Sequence, residues 1–163
     1  MKQSPMVIFL LTLFLLISFL CKGQVRTITG KIVDEFEFEP IPEVRIHNGD
    51  TVRLGTTDRN GNFEIELLSG VDELLLSFIG MEWTLIKVPA NCNDLEIIMI
   101  ADGTYDFMTI RKVNRKRYRI FKDLNNKHLQ AYEKGIFTSN APCFTYIFHK
   151  YLNNNGFHQQ QQD

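Results

Sequence analysis

The sequence predicts a mainly β protein: a seven-stranded antiparallel β-sandwich followed by a C-terminal extension that is α-helical or mixed. Between residues 25 and 100, short segments alternate apolar and polar side chains, which is the two-residue period of a strand with one buried face. Turn-forming residues separate these segments every 8 to 12 positions, and no segment with a helical period intervenes. These observations favour a sandwich over an alternating α/β fold.

The first strand places Ile28 and Ile32 on one face, with polar residues between them. A loop with Pro40 and Pro42 follows, because proline cannot donate to a strand ladder. The dipeptide Asn48-Gly49 then predicts a tight turn between the next two strands. In chain order, the predicted strands are Val25–Asp34, Glu43–His47, Thr51–Thr57, Phe63–Leu67, Glu73–Phe78, Thr84–Val88 and Leu95–Ile100.

The polar segment Thr57–Phe63 lies at the centre of this pattern, between two alternating runs. Asn60-Gly61 suits a turn there, because glycine enters positive φ without steric conflict and asparagine tolerates it. We therefore predict a β-hairpin that joins the third and fourth strands. Asp58, Asn60, Asn62 and Glu64 present alternate oxygen ligands that would suit calcium. The glycine, however, falls at the fourth position of such a loop rather than the sixth, and Ser69 stands where the twelfth position needs an acid. The turn interpretation is favoured.

A helix is predicted in the C-terminal extension. At 100° per residue over Thr109–Leu124, the apolar residues fall within an arc of roughly 100°, which Arg117 alone interrupts. A second short helix is predicted over Leu124–Lys134, with Gly135 as its C-cap. The apolar stripe comprises Ile110, Val113, Ile120, Phe121 and Leu124.

The remainder of the extension is less regular. Pro142–Leu152 is rich in aromatic residues that fit both helical and strand spacing, so its conformation stays open. Asn153–Asp163, with its glutamine run, has too few apolar residues to order itself and is predicted to be a disordered tail. The predicted organisation is a sandwich over residues 25–100, a basic helical extension over 101–152 and the tail over 153–163.

Residues 1–23 are predicted to be a signal peptide. The uncharged apolar run Met6–Leu20 is shorter than the ~20 residues needed to span a bilayer. The small residues Cys21 and Gly23 place the cleavage site directly after Gly23. Lipidation of Cys21 and an uncleaved anchor are the weaker alternatives, the former because a large residue, Leu20, precedes the cysteine. The protein is therefore expected to be exported, to the periplasm or in association with the outer membrane.

Two cysteines remain after this cleavage, Cys92 and Cys143. An even count in an exported protein predicts a disulfide between them. Closing a loop of about 50 residues would contribute roughly 4 kcal/mol in the chain-entropy model. Two buried free thiols are the alternative.

No catalytic or cofactor motif is present in the sequence. It contains no Gly-x-Ser-x-Gly elbow, no phosphate-binding glycine loop and no cysteine–histidine pair with an orienting third group. The histidines, including His128 and His149, stand at no zinc spacing and are predicted to be surface or half-buried side chains. We therefore expect neither an enzyme nor a cofactor or metal site.

Four ordered segments of the chain resemble the carboxypeptidase regulatory-like domain family: Thr29–Asp34, Glu39–Val44, Gly55–Phe63 and Leu76–Met81. The resemblance covers about residues 25–100, with Glu43 where the family usually has glycine and Met81 where it usually has an aromatic residue. It implies a transthyretin-like (prealbumin-like) sandwich, common in exported and outer-membrane proteins of Gram-negative bacteria. It also implies an accessory interaction module without an active site.

Charge is unevenly distributed along the chain. Residues 24–100 hold 6 basic and 14 acidic residues, a net charge of −8, whereas residues 107–134 hold 9 and 2, a net charge of +7. The basic side chains opposite the apolar stripe are Arg111, Lys112, Arg115, Lys116, Arg119 and Lys122. They are predicted to form the solvated back of a helix packed on the sandwich, or else to bind an anionic membrane surface. Nucleic acid is not expected as a partner of an exported protein without a base-reading module.

The sequence thus predicts an exported, non-catalytic interaction module of the cell envelope that binds a protein or glycan partner. The alternatives are a peripheral membrane-associated protein that uses the basic helix and, less favoured, a regulatory subunit of a hydrolase.

Overall fold

The computed structural model describes residues 25–49 and 51–151, which form two β-sheets and one helix. The predicted signal peptide and C-terminal tail lie outside the described residues. The elements are β1 Val25–Asp34, β2 Arg45–Asn48, β3 Arg53–Thr56, β4 Asn62–Leu68, β5 Glu73–Ser77, β6 Thr84–Lys87, β7 Asp94–Met99, α1 Ile110–Glu133 and β8 Thr145–Ile147.

The predicted β-sandwich is confirmed. One sheet has the order β4-β1-β7 and the other the order β3-β2-β5-β6-β8. The pairing is antiparallel except between β1 and β7, which run parallel with Ile32 opposite Ile97. The extension adds the eighth strand, because β8 pairs antiparallel with β6 and places Tyr146 opposite Ile86. The segment whose conformation the sequence left open therefore contains an edge strand.

The core lies between the two sheets and consists of the inward side chains of the alternating strands. Ile28 and Ile32 of β1 are fully buried, as the two-residue period predicted, while Thr27 and Thr29 between them are exposed. Facing side chains from the other sheet include Ile46, Leu74, Leu76 and Ile86, all fully buried.

The central polar turn does not form the predicted hairpin. β3 pairs with β2 and β4 pairs with β1, so the turn carries the chain from one sheet to the other. The buried Thr57 explains the crossing, because its hydroxyl donates to the Ile41 carbonyl oxygen (2.7 Å) and accepts from the Val44 N–H (2.9 Å). The carboxylate of Asp58 accepts hydrogen bonds from two turn N–H groups, so it stabilises the backbone turn.

Strand β7 is buried on both faces, since α1 covers the face that points away from the sandwich core. Ile98 and Ile100 pack there with Leu124 and Ala131 of the helix and with Val33 of β1. Double burial accounts for the uninterrupted apolar run Ile97–Ile100.

The two predicted helices are one continuous helix, α1. No proline or glycine interrupts residues 110–133, and burial of Leu124 and His128 carries the helix past the weak helix formers between them. Gly135 ends it in the left-handed conformation, with φ of 72°. The Gly135 N–H donates to the Tyr132 carbonyl oxygen and the Ile136 N–H to that of Ala131, as in a glycine C-cap.

Candidate docking surface

The basic face of α1 is a continuous exposed surface. Its six side chains are Arg111, Lys112, Arg115, Lys116, Arg119 and Lys122, and all are exposed. Within residues 25–49 and 51–151, none of the six forms a salt bridge. Two of them contact aromatic rings: the Lys116 Nζ lies 5.5 Å from the centroid of Tyr105 and the Lys122 Nζ lies 5.9 Å from that of Tyr118.

Two of these cations stand at an electrostatically unfavourable position in the free protein. The first turn of α1 holds no acidic residue, and Arg111 and Lys112 stand at the positive end of the helix dipole. Each such placement costs about 0.3–1 kcal/mol at an exposed site. An anionic partner would relieve this repulsion, so the surface is suited to binding negative charge.

A buried ion pair attaches the basic helix to the sandwich. Arg117, 5% exposed, donates from Nε to the Oε1 of Glu82 at 2.8 Å. Burial alone would lower the pKa of Arg117, but the hydrogen bond and charge of Glu82 raise it, so the guanidinium stays charged. Burial, together with the charge of Glu82, raises the pKa of Tyr105 to about 12, and its neutral hydroxyl donates to the same carboxylate oxygen at 3.3 Å.

Arg117 and Asn114 also hold the C-terminal segment against α1. The Arg117 Nη1 donates to the His149 carbonyl oxygen (2.8 Å), and its guanidinium lies 3.7 Å from the ring centroid of Tyr151. The side-chain amide of Asn114 bonds both backbone groups of Tyr151, at 2.9 and 2.8 Å, as a neighbouring strand would.

Glu96 of β7 joins the sheet to the segment that follows the helix. Its carboxylate accepts hydrogen bonds from the N–H and the hydroxyl of both Thr138 and Ser139. The fully buried His128 of α1 lies against the same segment, with Nε2 3.1 Å from the Ser139 carbonyl oxygen and 3.9 Å from the Glu96 Oε2. Helix, following segment and sheet therefore share one polar cluster.

Glu96, Ser139 and His128 are not arranged as a nucleophile and its base. The Ser139 hydroxyl donates to Glu96 at 2.5 Å. The His128 Nε2 faces a carbonyl oxygen, so we assign the ring proton to it, and it cannot accept the proton of the hydroxyl. Burial lowers the pKa of His128 and outweighs the charge of Glu96, which acts to raise it. The ring is therefore neutral. The cluster is structural.

A third polar contact lies at Lys127. Its Nζ donates to the Glu35 carbonyl oxygen at 2.7 Å and stands 3.7 Å from the carboxylate of the same residue. That carboxylate also accepts from the Ala101 N–H, while burial raises its pKa. Arg117 and Lys127 thus fix α1 to the sandwich through two separate acidic residues, and His128 holds it to the segment that Glu96 also bonds.

Beside the first turns of α1 the surface forms an open groove of about 900 Å³. Cationic and aromatic side chains both line it. The lining includes Arg111, Arg115, Lys150, Tyr118, Phe148 and Tyr151.

Cys92 and Cys143 lie at disulfide-bonding distance, with their Cα atoms 5.6 Å apart. Cys92 is buried two residues before β7, and Cys143 lies two residues before β8. The bond would tie the extension covalently to the sandwich, 51 residues away in sequence. Pairing in solution remains a prediction.

The helical period correctly grouped the six basic residues, but the buried polar contacts were not foreseen. His128 is fully buried rather than surface or half-buried, while His149 is exposed. The sequence indicated one of these buried contacts, because Arg117 interrupts the apolar stripe of the helix. In the parts of the chain that the structure describes, no cluster of three or more histidine, cysteine or acidic residues could hold a metal ion, and no helix is long and apolar enough to cross a membrane.

Comparison with known proteins gives one family and two distant structural likenesses. The family model of the CarboxypepD_reg-like domain matches residues 28–115, from within β1 to the second turn of α1. The crystal structure of the C-terminal domain of the PapC usher is similar at 16% identity and a TM-score of 0.33, over 48% of this chain and 100% of that one.

An E. coli P pilus tip assembly intermediate, PapC-PapD-PapK-PapG, is similar at 10% identity and a TM-score of 0.38. That likeness covers 52% of this chain and 10% of the other. At these TM-scores neither likeness bears on function. No curated protein matches this chain.

Proposed function

The chain belongs to the CarboxypepD_reg-like domain family, and from this premise we propose that it is an exported, non-catalytic interaction module of the cell envelope. Domains of this family are β-sandwiches and are generally non-catalytic. The module binds an anionic envelope protein or glycan through the basic face of α1.

One observation carries the proposal: six cations are exposed on a helix that is fixed to the sandwich. They lack acidic partners in the described part of the chain. The ion pairs of Arg117 and Lys127 with Glu82 and Glu35, and the contact of the buried His128 with the Ser139 carbonyl oxygen, orient the helix before any partner arrives. Preorganisation of this kind lowers the entropic cost of binding.

Export is supported by the predicted signal peptide and by the placement of Cys92 and Cys143 at bonding distance, since disulfides persist in oxidising compartments. A non-catalytic role is supported by the Glu96 cluster, in which the buried His128 is directed at a backbone carbonyl oxygen.

The test is binding of the purified chain, residues 24–163, to isolated envelopes. The variant Arg115→Glu/Arg119→Glu/Lys122→Glu should lose binding. A control with the same change in net charge, Arg45→Glu/Arg53→Glu/Arg59→Glu, alters exposed residues of the sandwich and should bind as the wild type does. Binding should also fall after protease or glycosidase treatment of the envelopes. Equal binding by both variants would contradict the proposed surface.

Peripheral attachment to an anionic membrane through the same face is the second candidate. It is favoured by two apolar side chains, Ile79 and Phe107, which are strongly exposed outside the sandwich core. Sedimentation of the protein with lipid vesicles that contain no protein would favour this candidate over a protein or glycan partner.

A further inference from the structure

We infer that the end of the molecule at the start of α1 inserts two apolar loop tips into the headgroup region of an anionic phospholipid bilayer. The inference deepens the second candidate function and rests on the same basic face. It adds the residues that enter the membrane and fixes which end of the molecule faces it.

The two tips carry apolar side chains that the fold leaves in water. Ile79 is 84% exposed in the turn between β5 and β6, which the Met81 N–H closes on the Phe78 carbonyl oxygen at 3.2 Å. Phe107 is fully exposed in the segment before α1, and Met108 beside it is also exposed. Phe107 has a φ of 60°, an unfavourable backbone conformation for a bulky residue, and its ring makes no apolar contact that would offset it.

Hydrogen bonds place the two tips at the same end of the sandwich. The Asp102 N–H donates to the Gly80 carbonyl oxygen at 2.9 Å, which joins the first turn to the segment that leads to the second. The Tyr105 hydroxyl donates to Glu82, which directly follows the first turn. The Met108 N–H then donates to the Tyr105 carbonyl oxygen and forms the second turn.

Cations follow the second tip along the chain. Arg111, Lys112, Arg115 and Lys116 follow it on the first two turns of α1, and the Lys116 Nζ lies over the ring of Tyr105. Two exposed carboxylates, Asp102 and Asp106, lie in the same segment and oppose them, which leaves a local excess of two positive charges. Arg119, Lys122 and Lys150 add positive charge farther along this side.

A bilayer fits this combination better than a protein partner does. A stable protein interface buries roughly 800 Å² on each side around a packed apolar centre, whereas the apolar residues here sit on two separate tips. Lipid headgroups accommodate separate tips. Each lysine or arginine near an anionic membrane surface strengthens binding roughly fivefold. Amphipathic elements with basic flanks bind membrane surfaces in this way.

The experiment measures cosedimentation of residues 24–163 with vesicles of phosphatidylcholine alone and with phosphatidylglycerol added. The wild type should bind the mixed vesicles and not the neutral ones. Ile79→Ser/Phe107→Ser, which leaves every charge in place, should bind roughly 10- to 100-fold more weakly, because each apolar side chain stays in water. The control Val52→Ser/Leu68→Ser changes two apolar residues that are 58% and 59% exposed elsewhere and should bind as the wild type does.

Insertion has a direct readout as well. Phe107→Trp should show a blue-shifted emission with mixed vesicles and quenching by brominated lipid, whereas Val52→Trp should show neither. Circular dichroism establishes that each variant is folded.

Two results would overturn the inference. Unchanged vesicle binding of Ile79→Ser/Phe107→Ser, with loss in the charge-reversed helix variant, would leave the basic docking face in place without insertion. Absence of vesicle binding, with protease-sensitive binding to envelopes, would assign the face to a protein partner. The proposed function itself fails separately, if charge reversal on α1 leaves envelope binding intact.

Discussion

The buried ion pair between Arg117 and Glu82 predicts a large loss of stability when one partner alone is removed. Both side chains are about 5% exposed. Among the described residues, Arg117→Met therefore leaves the buried Glu82 carboxylate with the Tyr105 hydroxyl as its one hydrogen-bond donor. Breaking a buried pair in this way costs about 3–5 kcal/mol. The free energy of unfolding should fall by that amount, because an uncompensated buried charge is worse than a lost contact.

Urea denaturation followed by circular dichroism measures this change, provided that the m-values agree among the variants. Glu82→Met/Arg117→Met removes both charges and should cost less than half as much as Arg117→Met, because no charge is then stranded. Arg119→Met, an exposed arginine on the same helix, should change stability by less than about 0.5 kcal/mol.

The reasoning would be refuted if Arg117→Met cost less than about 1 kcal/mol, or if the double variant lost the sum of the two single losses. Either result would mean that water reaches the pair and that Arg117 does not fix the helix to the sandwich.

Two further predictions concern the cysteines and the response to acid. Unreduced protein should contain no thiol that an alkylating reagent labels in the unfolded state; intact mass measures this, and two labelled thiols would exclude the bond. Cys143→Ser should lower the free energy of unfolding, measured by urea denaturation, by about 2–4 kcal/mol. Burial lowers the pKa of His128 in the folded chain below its ordinary value of 6.5. Below pH 6.5 the unfolded chain therefore binds a proton at His128 more readily than the folded chain does, so stability should fall as the pH drops from 7.5 to 5. His128→Leu should flatten this slope. The slope that remains is due to His47, whose pKa burial also lowers, and to Glu35, whose raised pKa acts in the opposite direction. An unchanged slope of the urea midpoint would contradict the prediction.

Local periodicity predicted the strands and the inward residues, because alternation depends only on near neighbours along the chain. It could not predict that β3 and β4 belong to different sheets, since a hairpin and an inter-sheet turn share the same glycine and asparagine signals. Thr57 decides between them through bonds to Ile41 and Val44, 16 and 13 residues away. The strand at Tyr146 was undecided for the same reason, because its pairing partner is β6.

For the candidate surface too, local periodicity predicted some features, and contacts between distant segments determined the others. Six basic residues fall on one face by helical geometry alone, so the sequence predicted them together. The buried partners of the helix depend on contacts between distant segments: Arg117 meets Glu82 across 35 residues, and Thr138 meets Glu96 across 42. Only the interruption of the apolar stripe by Arg117 indicated such a contact in advance.

Strand β8 has a consequence for the order of folding. Its partner β6 ends at Lys87, whereas β8 begins at Thr145, so α1 and its flanking segments must be made before the sheet acquires its final edge. Pairing across so long a loop is slow compared with closure of the neighbouring β5–β6 pair. Until then β6 is an open edge that a second nascent chain could occupy, and early docking of α1 on β7 shortens that interval by bringing β8 close to its place.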